Sequence, residues 1–359
     1  MAPMRVARSA LACASLLALG ALAAACGGGG GGEAAGPATV PSGPAPPKSS
    51  FPDPAGRSLR SLIKQETDGH SELKVAPTGE VFYPGRNRYA VGIAERNDGQ
   101  VDDAEVAFYY ARVPPVKKGA KSAAGNKGPN AKVQSQALDQ PAVGPFPARI
   151  ESLGTKPAFR STMAADPETA RVVYVAELPF PRNGGYRVAA MVRHDGELDA
   201  KLLGTANVGE YTHVPRPGQP APLIHTPTAQ EVGGDAAKIT TREPPDTQNE
   251  VDYAEALGKE PILLLFATPK FCQSRVCGPV VDVAEQAKHE YGDKAAFIHM
   301  EIFNHNDPDA EVRPQVRRFH LPTEPWLFAI NREGVVSSAI EGAFGLELMD
   351  EVAEKVIAE

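Results

Sequence analysis

The chain has little cysteine, no excess of positive charge and few long apolar runs, and each shortage excludes a class of protein. Four cysteines in 359 residues are too few for a disulfide-built scaffold. Lys and Arg number 37 against 44 Asp and Glu, a net charge of −7, so the composition gives no support to nucleic-acid binding. After the N-terminal region, no stretch approaches the roughly 18 apolar residues of a membrane-spanning helix. The chemistry therefore depends on where the four cysteines lie.

Glycine and proline are abundant instead, at 34 residues each, which is well above average usage. This excess excludes an all-helical bundle along most of the chain and predicts loops, turns and linkers. The length suggests two domains rather than one. The run of six glycines from Gly27 to Gly32 precedes no strand–helix unit, so it is not a phosphate-binding loop.

The first 50 residues have the pattern of a targeting segment. Arg5 and Arg8 precede an apolar run that extends from position 10 to position 25, which is typical of a secretory signal. The run ends in three alanines followed by Cys26 and the glycines. Residues 26–55 are rich in Gly and Pro and are predicted to form a flexible tether.

This ending resembles a bacterial lipoprotein signal, in which small residues precede a cysteine that is lipidated and becomes the mature N-terminus. Ala24, Ala25 and Cys26 match that pattern. The resemblance implies a signal peptide at 1–25, lipidation of Cys26, and attachment through that lipid to the extracytoplasmic face of the cell membrane. Ordinary secretion, with Cys26 near the cleavage site by chance, is the alternative.

Residues 56–212 contain short apolar runs, such as 88–94, 105–111 and 171–176, that are bounded by Gly, Pro, Asn and Asp. Such runs are typical of a β-sandwich. A gap at about 114–147 predicts a long exposed insertion. The stretch from Asn183 to Tyr186 resembles the Gly-x-Tyr sequence before a late strand of immunoglobulin-like domains. The resemblance implies an all-β immunoglobulin-like sandwich. Seven prolines then mark 213–247 as a linker.

Residues 248–359 have a different pattern, in which buried strands alternate with helices in the order β-α-β-α-β-β-α. This order resembles the thioredoxin fold, with a cysteine-bearing loop at a helix N-terminus. Pro325 falls where extracytoplasmic members of that superfamily keep a cis proline. The resemblance implies an α/β thioredoxin-like fold for this part. The expected fold class is therefore two domains, an N-terminal immunoglobulin-like sandwich and a C-terminal thioredoxin-like domain.

The cysteine pair of this C-terminal part is more widely spaced than in thioredoxin. Cys272 and Cys277 are five positions apart, which on a regular helix would separate their Cα atoms by roughly 8–9 Å, beyond disulfide reach. Cys272 must therefore lie on the loop before the helix. Either Cys272 attacks and Cys277 resolves, or Cys277-Gly278-Pro279 matches the thioredoxin motif and Cys272 is an upstream partner. Both alternatives place a thiol at a helix N-terminus, which stabilises thiolate.

The resemblance implies thiol–disulfide exchange with protein thiols or disulfides, catalysed by Cys272 and Cys277 without a metal or cofactor. Pro325, if cis, would place backbone groups of Glu324 and Trp326 against the bound partner. Leu265 stands near the position where thioredoxin keeps a buried acid.

Two other functions remain open. The pair could be a permanent disulfide in a non-catalytic binding module, which is ordinary in an oxidising compartment. Alternatively, the similarity to SCO-type members implies copper handling, in which two cysteines act with a histidine, for which His305 and His320 are candidates. Copper(I) suits soft thiolate ligands.

Overall fold

A computed structural model describes residues 40–67, 72–97, 99–115, 131–166, 168–272 and 274–359, without the side chains of residues 131–134. The predicted signal peptide, the lipidation site Cys26 and the glycine run lie outside these described residues, as does 116–130 of the predicted insertion. Gly36–Glu359 form one compact unit. No helix among the described residues is long and apolar enough to cross a membrane.

Strands outnumber helices in the described ranges, and most of the helices are short. The helices are α1 (Leu59–Glu66), α2 (Ala131–Leu138), α3 (Tyr253–Ala256), α4 (Cys277–Tyr291), α5 (Pro314–Arg318) and α6 (Leu346–Ala358). The strands are β1 (Lys74–Pro77), β2 (Gly85–Ala94), β3 (Glu105–Arg112), β4 (Val143–Ser152), β5 (Val172–Phe180), β6 (Gly184–His194), β7 (Glu197–Val208), β8 (Ile262–Phe266), β9 (Ala296–Met300), β10 (Trp326–Ile330) and β11 (Val336–Glu341). The protein is therefore mostly β.

Strands β1 to β7 form one antiparallel sheet in the order β1-β2-β5-β4-β3-β6-β7. Strand β4 makes this sheet continuous, because its first half pairs with β3 and its second half pairs with β5. The sequence pattern hides β4, since Pro145 and Pro147 interrupt it and prolines within strands are confined to edges and bulges. Its first half falls in the stretch predicted as an exposed insertion.

The two edges of this sheet approach each other, so that it nearly closes into a barrel. Phe82, which follows β1, forms a parallel bridge with Val208 at the end of β7. The interior holds a cluster of aromatic rings, in which Phe180 and Tyr186 have centroids 4.8 Å apart. The hydroxyl of Tyr186 donates to the carbonyl of Arg182 at 2.9 Å, so its polar end is satisfied where the ring is buried.

The second sheet has the order β11-β10-β8-β9, in which only β8 and β9 are parallel. Helices α4 and α6 pack on one face together with both cysteines. The opposite face carries Trp326, Phe328 and Phe319. Since both faces are covered, β8 is apolar throughout, as expected for a buried central strand.

The fold class predicted from the sequence is wrong. The N-terminal part is one nearly closed sheet rather than a two-sheet immunoglobulin-like sandwich, because β4 joins the two halves. The α/β thioredoxin-like class is also overturned, because the described chain is mostly β, with few helices and a single parallel strand pair among its sheets. The division into two domains stays a prediction.

The segments predicted as a flexible tether and as a linker pack against this unit where they are described. In the predicted tether, the N–H of Gly43 donates to the carbonyl of Ile150 at 3.0 Å, and Phe51 is buried. In the proline-rich segment 213–247, the N–H of Gly218 donates to the carbonyl of Val336 at 2.8 Å. This segment therefore covers part of the outer edge of β11.

Candidate functional site

The cysteine loop, residues 267–276, joins β8 to α4. Cys272 lies in this loop and Cys277 is the first residue of α4. The two form a disulfide with their Cα atoms 5.9 Å apart, so the prediction that Cys272 precedes the helix is confirmed. Pro279 lies in the first turn of α4, where its missing N–H removes no intrahelical hydrogen bond.

The two sulfur atoms differ in exposure and in hydrogen bonding. Cys277 is fully buried, whereas Cys272 is 6% exposed. The N–H of Cys277 donates to Sγ of Cys272 at 3.3 Å, and Oγ of Ser274 lies 3.3 Å from the same sulfur. A backbone donor at the N-terminus of a 15-residue helix stabilises a thiolate. The geometry therefore favours negative charge on Cys272 once the disulfide is reduced.

A carboxyl group lies beside the disulfide. One carboxylate oxygen of Glu324 and the two sulfur atoms all lie within 4.8 Å of one another. Burial and, secondly, the negative charge of Glu301 raise the pKa of Glu324 to about 7. The carboxyl can therefore give or take a proton near neutral pH. The sequence pointed to the backbone of Glu324 and not to this side chain.

Glu301, which acts on that pKa, is buried just after β9. Its Oε1 accepts hydrogen bonds from the N–H and the Oγ1 of Thr241, both at 2.6 Å. Its Oε2 has no hydrogen-bond partner within the described parts of the chain. A like charge nearby disfavours ionisation of a carboxyl. Thr241 belongs to the proline-rich segment 213–247, so by holding Glu301 in place this segment contributes to the protonation of Glu324.

Pro325 and Trp326 follow Glu324 directly in the chain. The Glu324–Pro325 peptide bond is cis, as the sequence predicted, and Pro325 is buried. The indole of Trp326 stacks on Phe328 with ring centroids 5.5 Å apart, and its Nε1 donates to Oγ1 of Thr323 at 3.1 Å. The Trp326 side chain belongs to the core on the face of the sheet opposite the disulfide. Contact of its backbone with a partner stays a prediction.

A buried ion pair fixes the helix that bears Cys277. Nε of Arg242 donates to Oδ1 of Asp282 on α4 at 2.8 Å, and its Nη2 donates to the carbonyl of Phe159 at 2.7 Å. The N–H and Oγ of Ser161 donate to the other oxygen of Asp282 at 2.9 and 3.0 Å. Burial raises the pKa of Asp282 against the opposing effect of Arg242. Helix α4 is thereby tied both to the proline-rich segment and to residues 159–161.

A second buried ion pair supports the start of the cysteine loop. Nδ1 of His299 on β9 lies 2.9 Å from Oδ2 of Asp246, and its Nε2 lies 3.1 Å from the carbonyl of Ala267. Burial alone would lower the pKa of His299, but the charge and hydrogen bond of Asp246, together with the charge of Glu301 and the carbonyl of Ala267, raise that pKa. Burial likewise opposes ionisation of Asp246, yet His299 and the hydroxyl of Thr240 lower its pKa. The pair is therefore charged, with both imidazole nitrogens donating.

A groove of about 380 Å³ runs beside the cysteine loop. One wall consists of Ser274, Arg275 and Val276, and the other comes from β1 and β2. Nη2 of Arg275 donates to a carboxylate oxygen of Glu168 at 2.6 Å, which holds the rim of the groove. A polypeptide segment lying here would contact the loop that carries Cys272.

Within the described ranges, the groups of metal-ligand type that meet at this site are the two sulfurs and Glu324. Neither His305 nor His320, the histidines proposed for copper, belongs to this group. His320 instead lies with its ring centroid 5.4 Å from that of His213. In the disulfide form the two sulfurs are bonded to each other, so this site offers a metal ion only the carboxylate of Glu324.

The sequence brought out the cysteines and the cis proline, but it missed the charged groups around them. Arg242 and Asp282 are 40 positions apart, and Asp246 and His299 are 53 apart. No local spacing marks such pairs, and Arg242 and Asp246 fall in a stretch whose prolines indicated a linker. No protein-family model and no curated protein matches this chain.

Proposed function

We propose that the protein carries out thiol–disulfide exchange through Cys272 and Cys277. The observation that supports this most is a disulfide at the N-terminus of α4 with the carboxyl of Glu324 within 4.8 Å of both sulfurs. A helix N-terminus stabilises the thiolate, and a carboxyl with a pKa of about 7 handles the proton of the second thiol.

Cys272 carries the reacting sulfur in both directions of this proposal. It is attacked when the protein oxidises a partner, and it attacks when the protein reduces one. A thiolate of a partner dithiol attacks Sγ of Cys272, the Cys272–Cys277 bond breaks, and Cys277 leaves as a thiolate that takes the proton of Glu324. The second partner thiol then gives its proton to the carboxylate of Glu324 and attacks the partner sulfur of the mixed disulfide, which releases Cys272 as a thiolate, so that the partner is oxidised and the pair is reduced. In the opposite direction the Cys272 thiolate attacks a partner disulfide and Cys277 resolves the intermediate, while Glu324 accepts its proton.

The protein would act at the extracytoplasmic face of the cell membrane, attached through lipid on Cys26. This part of the proposal rests on the sequence around Cys26, which lies outside the described residues. The partners would be proteins with thiols or disulfides in that oxidising compartment, where such exchange is chemically possible.

Two measurements together test the proposal: the reduction potential of the cysteine pair and its catalytic turnover with insulin. We expect a potential above about −300 mV and catalysed reduction of insulin disulfides by dithiothreitol. A potential below about −300 mV without turnover would contradict exchange, because structural disulfides resist reduction in that range.

Replacement of Glu324 by glutamine should slow reduction of the disulfide at pH 7. We expect the rate of reduction to fall by about 10–100-fold, which is at or below the lower end of the rate enhancement that a positioned proton donor gives. The wild-type rate, corrected for the thiolate fraction of dithiothreitol, should also show an inflection near pH 7 that Glu324→Gln lacks, since the pKa of Glu324 is about 7. Stopped-flow measurement of reduction at several pH values gives both quantities.

The matched control is Glu333→Gln, which removes an exposed carboxyl in the β10–β11 turn and should leave rate and profile unchanged. Equal rates and equal pH profiles for wild type and Glu324→Gln would remove Glu324 from the mechanism.

A binding module with a permanent disulfide is the second candidate, and the burial of both sulfurs favours it. In that case the double variant Cys272→Ser/Cys277→Ser would lose stability while it still bound the same partners. Wild type would then show no turnover, so the same insulin assay separates the two functions.

A further inference from the structure

A cavity of about 440 Å³ lies beside β11, the edge strand of the second sheet. Its walls come from the residues around the start of β2, from the proline-rich segment and from the end of β11. This volume falls within the range of small-molecule sites, about 300–1,000 Å³, and such sites commonly lie where two parts of a fold meet. Nothing in the proposed exchange reaction uses this cavity.

The body of the cavity is apolar and aromatic. Phe82, Tyr83, Tyr89, Trp326 and Ile340 line it. The indole of Trp326 is held in place by the stacking and the hydrogen bond described above, so this wall is formed without a ligand. A rigid aromatic wall binds an apolar group by excluding water and costs little conformational entropy on binding.

Two arginines at the mouth of the cavity have no acidic partner among the residues that the structure describes. Arg86 and Arg216 are both exposed and line the opening. The guanidinium of Arg216 lies over the ring of Tyr83, 5.0 Å from its centroid, an arrangement that orients the cation while leaving its N–H donors available.

The other charged groups of the cavity already have partners within the protein. Arg88 is ion-paired with Glu151 at 2.8 Å. The carboxylate of Glu341 accepts from the N–H groups of Glu80 and Val81 at 2.9 and 2.8 Å and also from the hydroxyl of Thr323. The two arginines therefore keep N–H donors available to a ligand, whereas the carboxylate of Glu341 is already taken up by neutral donors of the protein.

We infer that this cavity binds a small amphipathic monoanion, a carboxylate or sulfonate with an apolar body. The anionic group meets the guanidinium groups of Arg86 and Arg216 in charge-assisted hydrogen bonds. The apolar body lies against Tyr83 and Trp326. The site is independent of the cysteine pair and would exist whether or not the disulfide turns over.

Trp326 is the single tryptophan of the chain, so its fluorescence reports on this cavity directly. The probes are decanoate, 1-decanol and decyltrimethylammonium, which share an apolar chain and differ in charge, each used below its micelle concentration. We expect a saturable change in tryptophan emission with decanoate, weaker binding of the alcohol and no saturation with the cation.

Arg216→Gln and Arg86→Gln should each weaken decanoate binding by about tenfold, as loss of one charge-assisted bond of about 1.5 kcal/mol implies. Arg318→Gln, at an exposed position on α5 outside the cavity, is the control and should bind as wild type does. Equal binding of decanoate and decanol, or decanoate binding unaffected by both variants, would overturn the inference, as would the absence of a saturable signal in wild type.

Discussion

Replacing Cys277 by serine should convert the protein into a covalent trap, whereas replacing Cys272 should abolish its reaction with partners. In Cys277→Ser the thiol of Cys272 is retained, and so is the backbone N–H of residue 277 that donates to it at 3.3 Å. The mixed disulfide with a partner then forms but has no second thiol to resolve it. In Cys272→Ser the remaining thiol is fully buried and out of reach.

Mass spectrometry and non-reducing electrophoresis after incubation with a disulfide-containing protein such as insulin measure this difference. We expect a mixed disulfide on Cys272 in one variant, none in the other, and no turnover in either. The two variants form a matched pair, because each loses the same cross-link, worth about 2 kcal/mol for a loop of this size. A trapped complex on Cys277 instead would reverse the assignment of the attacking sulfur.

Replacing Asp246 by asparagine should produce the largest loss of stability of any change considered for this protein. Both partners of the Asp246–His299 pair are fully buried, and removal of one partner leaves the other as an uncompensated charge. Breaking such a pair costs about 3–5 kcal/mol. Chemical denaturation of the full chain measures the free energy of unfolding.

The matched control is Asp235→Asn, which breaks an exposed pair with Lys238 at 3.5 Å and should cost less than about 1 kcal/mol. A loss of similar size in both variants would show that the buried pair contributes nothing beyond a surface one.

The Asp246→Asn variant should also change how the free energy of unfolding depends on pH. The pKa of folded His299 lies above its ordinary 6.5, so its contribution is complete below pH 6.5 and is lost as the pH rises through the folded-state value. The pKa of folded Asp246 lies below its ordinary 3.8, so its contribution is present above pH 3.8 and is lost as the pH falls. The pair therefore stabilises most between about pH 4 and 6.5, and Asp246→Asn should flatten this dependence.

Individual elements of the C-terminal part could be predicted because their signals are local. The apolar run of β8 and the proline in the first turn of α4 each lie within a few residues, and the structure places both elements as the sequence indicated. Their fold class could not be predicted in this way. It depends on strand pairing over long distances, above all on β4, whose prolines hid the strand that joins two sets of strands into one sheet.

The candidate site likewise has features that local sequence signals predict and features that depend on long-range packing. The cysteine spacing limited the disulfide to a loop before a helix, which is a matter of backbone geometry. The carboxyl of Glu324 reaches the sulfurs from a residue 47 positions beyond Cys277 in the sequence, a proximity that only tertiary packing creates. Proline density at 213–247 indicated a linker, and composition does not reveal that Arg242 and Asp246 are buried.

The anchoring of α4 by Arg242 bears on how this protein can evolve. A break at the expected boundary between residues 247 and 248 would separate Asp282 and His299 from their partners Arg242 and Asp246. A C-terminal fragment inherited alone would therefore lack both ion pairs and the chain segment that covers them. An exchange of the C-terminal part at this point would have to include residues 242–246 to keep both ion pairs.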